Sequence, residues 1–165
     1  YEILRCLVGS EMCIRDRSSS GGHLAELLQM KELFQYYQSY LVTEKDSSTK
    51  KMYCSGVKQH FLLLARRENL FFFILKNLLN IGLSAFLFLR IRPDVIVSTG
   101  ANTAVPMCYI AKIFGRKVIF IETFASSKKK TLSGILLYPI ANAFFVQWES
   151  MLNLYPKAIY KGALY

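Results

Sequence analysis

The sequence predicts an α/β fold, with a Rossmann-like, mostly parallel sheet flanked by helices. Short β-branched apolar runs alternate along the chain with longer apolar segments of helical length, which is the pattern of strand–helix–strand units. Glycine-containing polar turns open two of the predicted helices. Hydrophobic residues make up 53% of the 165 residues, enough to build one complete core. We therefore expect a single domain, covering residues 18–165.

The first half of the chain contains a predicted helix and two short strands. The helix begins at Gly22, and the strands lie at 39–43 and 60–65 with a polar, turn-rich loop at 44–56 between them. The helix prediction depends on apolar side chains that recur on one helical face: Leu24, Leu27, Leu28, Phe34 and Tyr37.

The second half contains two strands that are predicted to be buried on both faces. Residues 94–99 and 117–121 are rich in β-branched side chains and almost continuously apolar, as in parallel strands covered by helices on both sides. The remaining predicted elements are helices at 107–114 and 132–141 and strands at 143–147 and 157–161.

Residues 70–89 form the most apolar segment, which is long enough for a helix that crosses a bilayer. A membrane span is the less favoured interpretation, because polar groups in hydrocarbon are costly. The favoured alternatives are a core helix and a helix lying partly in the membrane interface. The polar and small residues that argue against a span are Lys76, Asn77, Asn80, Gly82 and Ser84.

The charge balance indicates an anionic partner. Lys and Arg number 21 against 11 Asp and Glu, a formal net charge of +10. Aromatic residues are not interleaved with the basic groups as a nucleic-acid stacking surface would require, so no nucleic acid is expected. A basic, apolar protein is better suited to an anionic membrane surface. The four cysteines form no C-x-x-C pair and no zinc-binding spacing, so we expect reduced thiols and no metal site.

The loop at residues 18–24 is a candidate anion site. Gly21 and Gly22 allow a ligand to approach the backbone, and the N–H groups at the helix start attract an anion. His23 lies at the mouth of this loop, where it could donate a hydrogen bond or carry a proton. An ordinary capped helix start is the alternative interpretation.

Two further polar loops are expected beside this one. Residues 99–103 and the pair Glu122-Thr123 follow predicted strands, and 20–23 follow the position where a first strand is expected. Because ligands of parallel α/β sheets bind at the carboxyl ends of the strands, the three loops predict one site at one sheet edge. Their composition favours a ligand with phosphate groups.

Residues 1–17 do not continue this pattern. They resemble a translated library-adapter sequence, and we expect them to be no part of the natural protein. The sequence Arg15-Asp16-Arg17 stands where a buried first strand is expected, and burying unpaired charges there would be costly.

Five motifs occur in the order found in a known family: 19–24, 93–106, 121–125, 136–148 and 155–162. The first reads Ser-Ser-Gly-Gly-His-Leu and the third Ile-Glu-Thr-Phe-Ala. With them the chain resembles the membrane-associated subunit of two-part GT-B glycosyltransferases. Eukaryotic members serve the UDP-N-acetylglucosamine transferase of dolichol-linked oligosaccharide synthesis, and bacterial members serve capsule and exopolysaccharide synthesis.

The resemblance implies the N-terminal, acceptor-binding half of a GT-B enzyme. Such a subunit works in a UDP-sugar-dependent hexosyltransferase (EC 2.4.1-type) and binds a polyprenyl-(pyro)phosphate-linked sugar acceptor. The catalytic donor-binding half is a separate polypeptide, which implies a heterodimer and no activity of this chain alone. No cofactor and no metal are expected, because the UDP-sugar is a substrate held mainly by the partner. The expected location is the cytoplasmic face of the cell membrane, as a peripheral protein.

The resemblance also implies roles for individual residues. His23 and Glu122 are the candidate catalytic residues, with Glu122 orienting the acceptor hydroxyl or lying near His23. A helix-start residue and a helix-capping carboxylate are the structural alternatives for these two. The candidate acceptor- and phosphate-binding residues are Ser19, Ser20, Gly21, Gly22, Gly100, Asn102 and Thr103.

Two other functions are alternatives to this one. A nonenzymatic scaffold would dock a catalytic partner onto the membrane without contributing to turnover. A dinucleotide-binding Rossmann enzyme would need a G-x-G-x-x-G turn, of which only Gly21-Gly22 is present.

Overall fold

A computed structural model of the chain describes residues 15–16, 26, 37–44, 57–63, 70–100 and 104–164. Within these ranges three α-helices are found, α1 (Leu70–Ile91), α2 (Val105–Ile113) and α3 (Leu132–Leu137), with a 3-10 helix at Glu149–Asn153. The strands are β1 (Arg15–Asp16), β2 (Tyr40–Glu44), β3 (Lys58–Leu62), β4 (Val95–Ser98), β5 (Lys117–Ile121), β6 (Ala143–Val146) and β7 (Ile159–Tyr160). The predicted loop at 44–56, except Glu44, and most of the helix predicted from Gly22 lie outside the described residues.

All pairings between these strands are parallel. One group has the order β1-β2-β3 and the other β4-β5-β6-β7. Strand β1 also lies against β4, so the strands follow the spatial order β3-β2-β1-β4-β5-β6-β7. This is the doubly wound order of Rossmann-like domains, and the predicted α/β fold is confirmed.

The position of the first strand is filled by β1, within the segment that resembles an adapter. Arg15 pairs with Tyr40 and Asp16 with Leu41. A parallel ladder is formed by backbone groups, so the charged sequence can provide its hydrogen bonds. The assignment of residues 1–17 as non-native stays a prediction.

The core lies around β4, β5 and β6. All four residues of β4 and the last four of β5 are buried, which confirms the prediction of strands covered on both faces. Phe120 and Phe144 stack across neighbouring strands with ring centroids 4.9 Å apart. Tyr155, which follows the 3-10 helix, is fully buried beside them, 4.6 Å from the Phe144 ring.

Helix α1 is amphipathic in an unusual sense, because its buried face carries polar side chains. Asn80 is buried and clamps the end of β3, donating to the Leu63 carbonyl oxygen at 2.9 Å and accepting from the Leu63 N–H at 3.1 Å. The buried Ser84 hydroxyl donates to the Asn80 carbonyl oxygen. These bonds satisfy Asn80 and Ser84, two of the polar side chains that argued against a membrane span.

The opposite face of α1 is apolar and exposed. Leu78 is 60% exposed and Phe86 is 59% exposed. A core helix was therefore the wrong expectation, since only one narrow face packs against the domain. Within the described residues, Ile74–Ile91 is the one stretch long and apolar enough to cross a membrane. The other large exposed side chains on α1 are Ile74, Leu75, Leu79, Ile81, Leu83 and Leu89.

Several boundaries differ from the predicted ones for local reasons. Helix α2 begins at Val105, because Pro106 occupies its first turn, where a missing N–H costs nothing. Helix α3 ends at Leu137, two residues before Pro139, and not at 141. Strand β3 covers Lys58–Leu62 instead of 60–65, and the 3-10 helix was not predicted.

Candidate functional site

The carboxyl ends of β4, β5 and β6 meet at one edge of the sheet. Ser98 pairs with Phe120, and Phe120 with Phe144, so the segments that follow these strands are neighbours. The structure thus brings Thr99 and Gly100 to the same sheet edge as Glu122-Thr123, as the topology predicted. The first predicted loop, residues 20–23, lies outside the described residues.

Glu122 follows β5 and is only 1% exposed. Its carboxylate accepts hydrogen bonds from the Thr131 hydroxyl at 2.8 Å, the Tyr155 hydroxyl at 3.1 Å and the Thr123 N–H at 3.2 Å. Its backbone carbonyl accepts from the Gln147 side-chain amide at 3.0 Å. The residue therefore links the ends of β5 and β6 to the start of α3.

Burial and hydrogen bonding act in opposite directions on the pKa of Glu122. Desolvation raises the pKa above the ordinary value, and the hydrogen bonds from Thr131, Tyr155 and Thr123 lower it by less. Burial and the Glu122 charge also raise the pKa of Tyr155, so its hydroxyl remains a donor to the carboxylate.

The start of α3 is built around this carboxylate. Thr131 is the N-cap, accepting from the Gly134 N–H at 2.9 Å while donating to Glu122. A Cβ at Gly134 would collide with the Glu122 carboxylate and would lie 2.5 Å from the Tyr155 hydroxyl. Glycine is thus the residue that lets the helix approach this closely.

The first turn of α3 also contacts Gly100, a residue of the predicted second glycine loop. The buried Ser133 hydroxyl donates to the Gly100 carbonyl oxygen at 2.8 Å. Gly100 has φ 114°, a backbone conformation that residues other than glycine rarely adopt. The first turn of α3 therefore connects two of the predicted site positions, Gly100 and Glu122.

Glu26 is a site residue that sequence reasoning missed. It is helical and buried, and its carboxylate accepts from the Thr123 hydroxyl at 2.9 Å and the Phe124 N–H at 2.8 Å. The available signal was a carboxylate three residues after His23 with apolar neighbours on both sides, Ala25 and Leu27. Through these two hydrogen bonds, Glu26 anchors the loop that follows β5.

The predicted site residues divide into two groups. Gly100 and Glu122 are described, and the first turn of α3 contacts both. The catalytic role of Glu122 stays a prediction, although its enclosure at the start of α3 resembles the helix-capping alternative. In the described part of the chain, no three His, Cys, Asp or Glu side chains gather as a metal site would require. The positions outside the described residues are Ser19, Ser20, Gly21, Gly22, His23, Asn102 and Thr103.

Solved structures share this fold. MurG from Acinetobacter baumannii superposes with a TM-score of 0.67 at 12% identity, covering 83% of this chain and 41% of that protein. UDP-N-acetylglucosamine 2-epimerase from Rickettsia bellii gives 0.70 at 11% identity, covering 94% and 46%. These likenesses show the Rossmann-like half of a GT-B fold.

Sequence relatives point to one family. The UDP-N-acetylglucosamine transferase subunit ALG14 of Candida albicans is 44% identical over 87 residues, which cover 49% of this chain and 40% of that protein. The rat subunit of the same name is 28% identical over 179 residues, covering 89% and 80%. The family described as "Oligosaccharide biosynthesis protein Alg14 like" matches residues 18–164. This chain therefore belongs to the Alg14 family.

Proposed function

We propose that this chain is the acceptor-binding subunit of a UDP-sugar-dependent hexosyltransferase. In this role it binds a polyprenyl-(pyro)phosphate-linked sugar in capsule or exopolysaccharide synthesis, and UDP-N-acetylglucosamine is the first donor to test. The proposal depends on one observation: the first turn of α3 makes hydrogen bonds to the segments that follow β4 and β5. There, Ser133 holds Gly100 and Thr131 holds Glu122 in a chain of the Alg14 family.

The reaction requires little covalent chemistry from this subunit. The acceptor hydroxyl attacks the anomeric carbon of the donor sugar, the bond to UDP breaks, and the hydroxyl proton passes to a base. We assign His23 as the candidate base, because it lies in the glycine loop that precedes a helix. Backbone N–H groups of the two glycine loops, with Ser19, Ser20, Asn102 and Thr103, would bind the acceptor's phosphates.

Glu122 contributes to turnover in one of two ways. It either orients the acceptor hydroxyl directly or holds the first turn of α3 against Gly100. The four hydrogen bonds that Glu122 makes with Thr123, Thr131, Gln147 and Tyr155 support the second way. The variant Glu122→Gln distinguishes these two roles of Glu122, because glutamine preserves the shape of the side chain and removes its charge.

A donor-binding partner completes the enzyme in this proposal. The relatives of this chain are named as subunits of a UDP-N-acetylglucosamine transferase, and a subunit works with at least one other chain. The partner would hold the uridine and the diphosphate, and this chain alone would not transfer sugar.

The helical layer formed by α1, α2 and α3 is the proposed membrane surface. The apolar layer extends from α1 to the end of α2, where the exposed Phe114 ring contacts the buried Phe88 ring at a centroid distance of 5.2 Å. It continues onto α3 through the Tyr109 hydroxyl, which donates to the Leu136 carbonyl oxygen at 2.9 Å. An exposed apolar layer on a chain of net charge +10 suits peripheral binding to the anionic cytoplasmic face of the membrane.

The decisive experiment is reconstitution with a donor-binding glycosyltransferase half encoded beside this gene. We expect transfer from UDP-N-acetylglucosamine to a short-chain polyprenyl-diphosphate sugar with both chains present and none with either alone. Turnover by this chain alone would contradict the two-subunit proposal.

The scaffold function is the second candidate, and the extent of the exposed apolar layer favours it. A scaffold would bind membrane and partner equally well after substitution of His23. Full transfer by the His23→Ala complex would support the scaffold, whereas transfer lost with partner binding intact would support the subunit proposed here.

A further inference from the structure

The segments that follow β5 and β6 present an aromatic pair at the same sheet edge as Glu122. The rings of Phe124 and Trp148 are in tilted contact, with centroids 4.6 Å apart and an interplanar angle of 33°. The Trp148 indole N–H donates to the Phe124 carbonyl oxygen at 2.7 Å. The indole ring is therefore fixed, the Trp148 residue is 36% exposed, and its indole donor is already used by the protein.

The loop that carries Phe124 is braced from both sides. Glu26 accepts from the Phe124 N–H at 2.8 Å, and the Ser150 hydroxyl donates to the Ser127 carbonyl oxygen at 3.0 Å. The Ser126 hydroxyl donates to the Lys129 carbonyl oxygen. These bonds give an exposed surface loop a defined shape, which is the condition for recognising a ligand without a large ordering cost.

Three exposed lysines stand on this braced loop: Lys128, Lys129 and Lys130. The Lys130 amino group lies 5.1 Å from the centroid of the Tyr155 ring. Neither Lys128 nor Lys129 has an ion-pair partner among the residues that the structure describes. Positive charge is thus concentrated on the loop that carries Phe124, and the Ser150–Ser127 hydrogen bond joins this loop to the segment that follows Trp148.

We propose that Phe124, Trp148 and Lys128–Lys130, the Trp148 platform, bind a sugar diphosphate. A fixed indole without a free donor offers a flat apolar face that fits one side of a sugar ring. The lysines offer charge-assisted hydrogen bonds to a diphosphate. That the sugar diphosphate is the lipid-linked acceptor rests on the proposed function, whereas the ligand chemistry follows from the platform itself.

The sequence contains one tryptophan, so its fluorescence reports on this platform alone. The full chain is titrated with farnesyl-diphosphate-linked N-acetylglucosamine, with inorganic pyrophosphate, with free N-acetylglucosamine and with vesicles of anionic phospholipid. We expect a saturable change in Trp148 emission with the sugar diphosphate, a weaker response to pyrophosphate, and loss of affinity in high salt. A response to vesicles alone would assign the platform to the membrane and overturn the proposal.

Charge variants decide the role of the lysines. Lys128→Gln, Lys129→Gln and Lys130→Gln together should weaken the fluorescence-detected affinity by about tenfold or more, because charge-assisted contacts are lost. Lys117→Gln is the matched control, since Lys117 is exposed at the opposite end of β5. Equal affinities for the triple variant and the wild type would overturn the proposal.

An activity measurement separates this inference from the proposed function. In the reconstituted complex, Trp148→Ala should raise the acceptor KM by about tenfold with little change in kcat, and Trp148→Phe should restore much of it. Transfer with an unchanged KM for Trp148→Ala would remove the platform and leave the proposed function standing. If the sugar diphosphate binds saturably but no partner chain restores transfer, the platform is supported and the proposed function is contradicted.

Discussion

The Tyr155 hydroxyl donates to the Glu122 carboxylate at 3.1 Å, and both side chains are almost completely buried. Tyr155 follows the 3-10 helix and Glu122 follows β5, so this bond joins parts of the chain that are 33 residues apart. A buried carboxylate depends on its donors, because each lost partner leaves desolvated charge uncompensated.

Replacing the donor should therefore reduce stability without disturbing the packing of the ring. We expect Tyr155→Phe to lower the free energy of unfolding by about 1–3 kcal/mol, the cost of an unsatisfied buried group. Urea unfolding measures the change. Tyr160→Phe is the control, because Tyr160 is exposed on β7 and should show a change near zero. Equal stabilities for both variants would show that the Tyr155 bond contributes nothing.

Two glycines provide a matched test of the crowding around Glu122. Gly134→Ala should destabilise the domain by about 1–3 kcal/mol, because the new methyl group meets the Glu122 carboxylate and the Tyr155 hydroxyl. Gly82→Ala on the exposed part of α1 has open space around it and should stabilise by about 0.5–1 kcal/mol through helix propensity. Thermal and urea unfolding of both variants give the two signs. A neutral Gly134→Ala would mean that α3 does not approach the carboxylate this closely.

The raised pKa of Glu122 has a defined consequence for stability against pH. Because the folded state holds this proton more tightly than the unfolded state, the stabilisation is complete below the ordinary pKa of 4.5 and is lost as the pH rises through the folded value. Relative to Glu122→Gln, the wild type should therefore become less stable as the pH rises from 4.5 through the raised folded-state pKa. Urea midpoints measured across this range test the sign. A difference between the two proteins that does not change with pH would contradict the raised pKa.

The chain offers a matched pair of histidines for the catalytic prediction. His23→Ala should lower transfer by the reconstituted complex by about 10²-fold or more, the usual effect of removing a general base. His60→Ala alters the other histidine, which lies on β3 and stacks with Tyr40 at 6.1 Å. That variant should keep near-normal transfer per folded molecule. Similar turnover for both variants would leave His23 a structural residue of the helix start.

The fold was predictable because its signals are local. The residues of β4 and β5 are β-branched or aromatic and buried throughout most of their length, so their sequence alone indicates central parallel strands. Glycine at position 100 likewise marks a turn that requires positive φ.

The contacts of the site were not predictable, because they join distant residues. Glu26 and Thr123 are 97 positions apart, and nothing in either segment indicates the other. The orientation of α1 was hidden for a different reason. Asn80 and Ser84 argue against a lipid-facing helix in any hydropathy profile, but the structure turns both inward, where Leu63 and the helix backbone satisfy them.

That orientation leads to the prediction for membrane binding. Lys76 and the net charge of +10 favour peripheral attachment, so high salt or carbonate should release the protein from membrane pellets. Leu78→Gln with Phe86→Gln should reduce the membrane-bound fraction while the unfolding midpoint stays nearly constant, because both side chains are mostly exposed. Ile159→Gln on β7 is the control outside the helical layer and should not alter the bound fraction. Retention of the wild type through both washes would identify α1 as an integral helix, because neither screening nor high pH extracts a segment embedded in hydrocarbon.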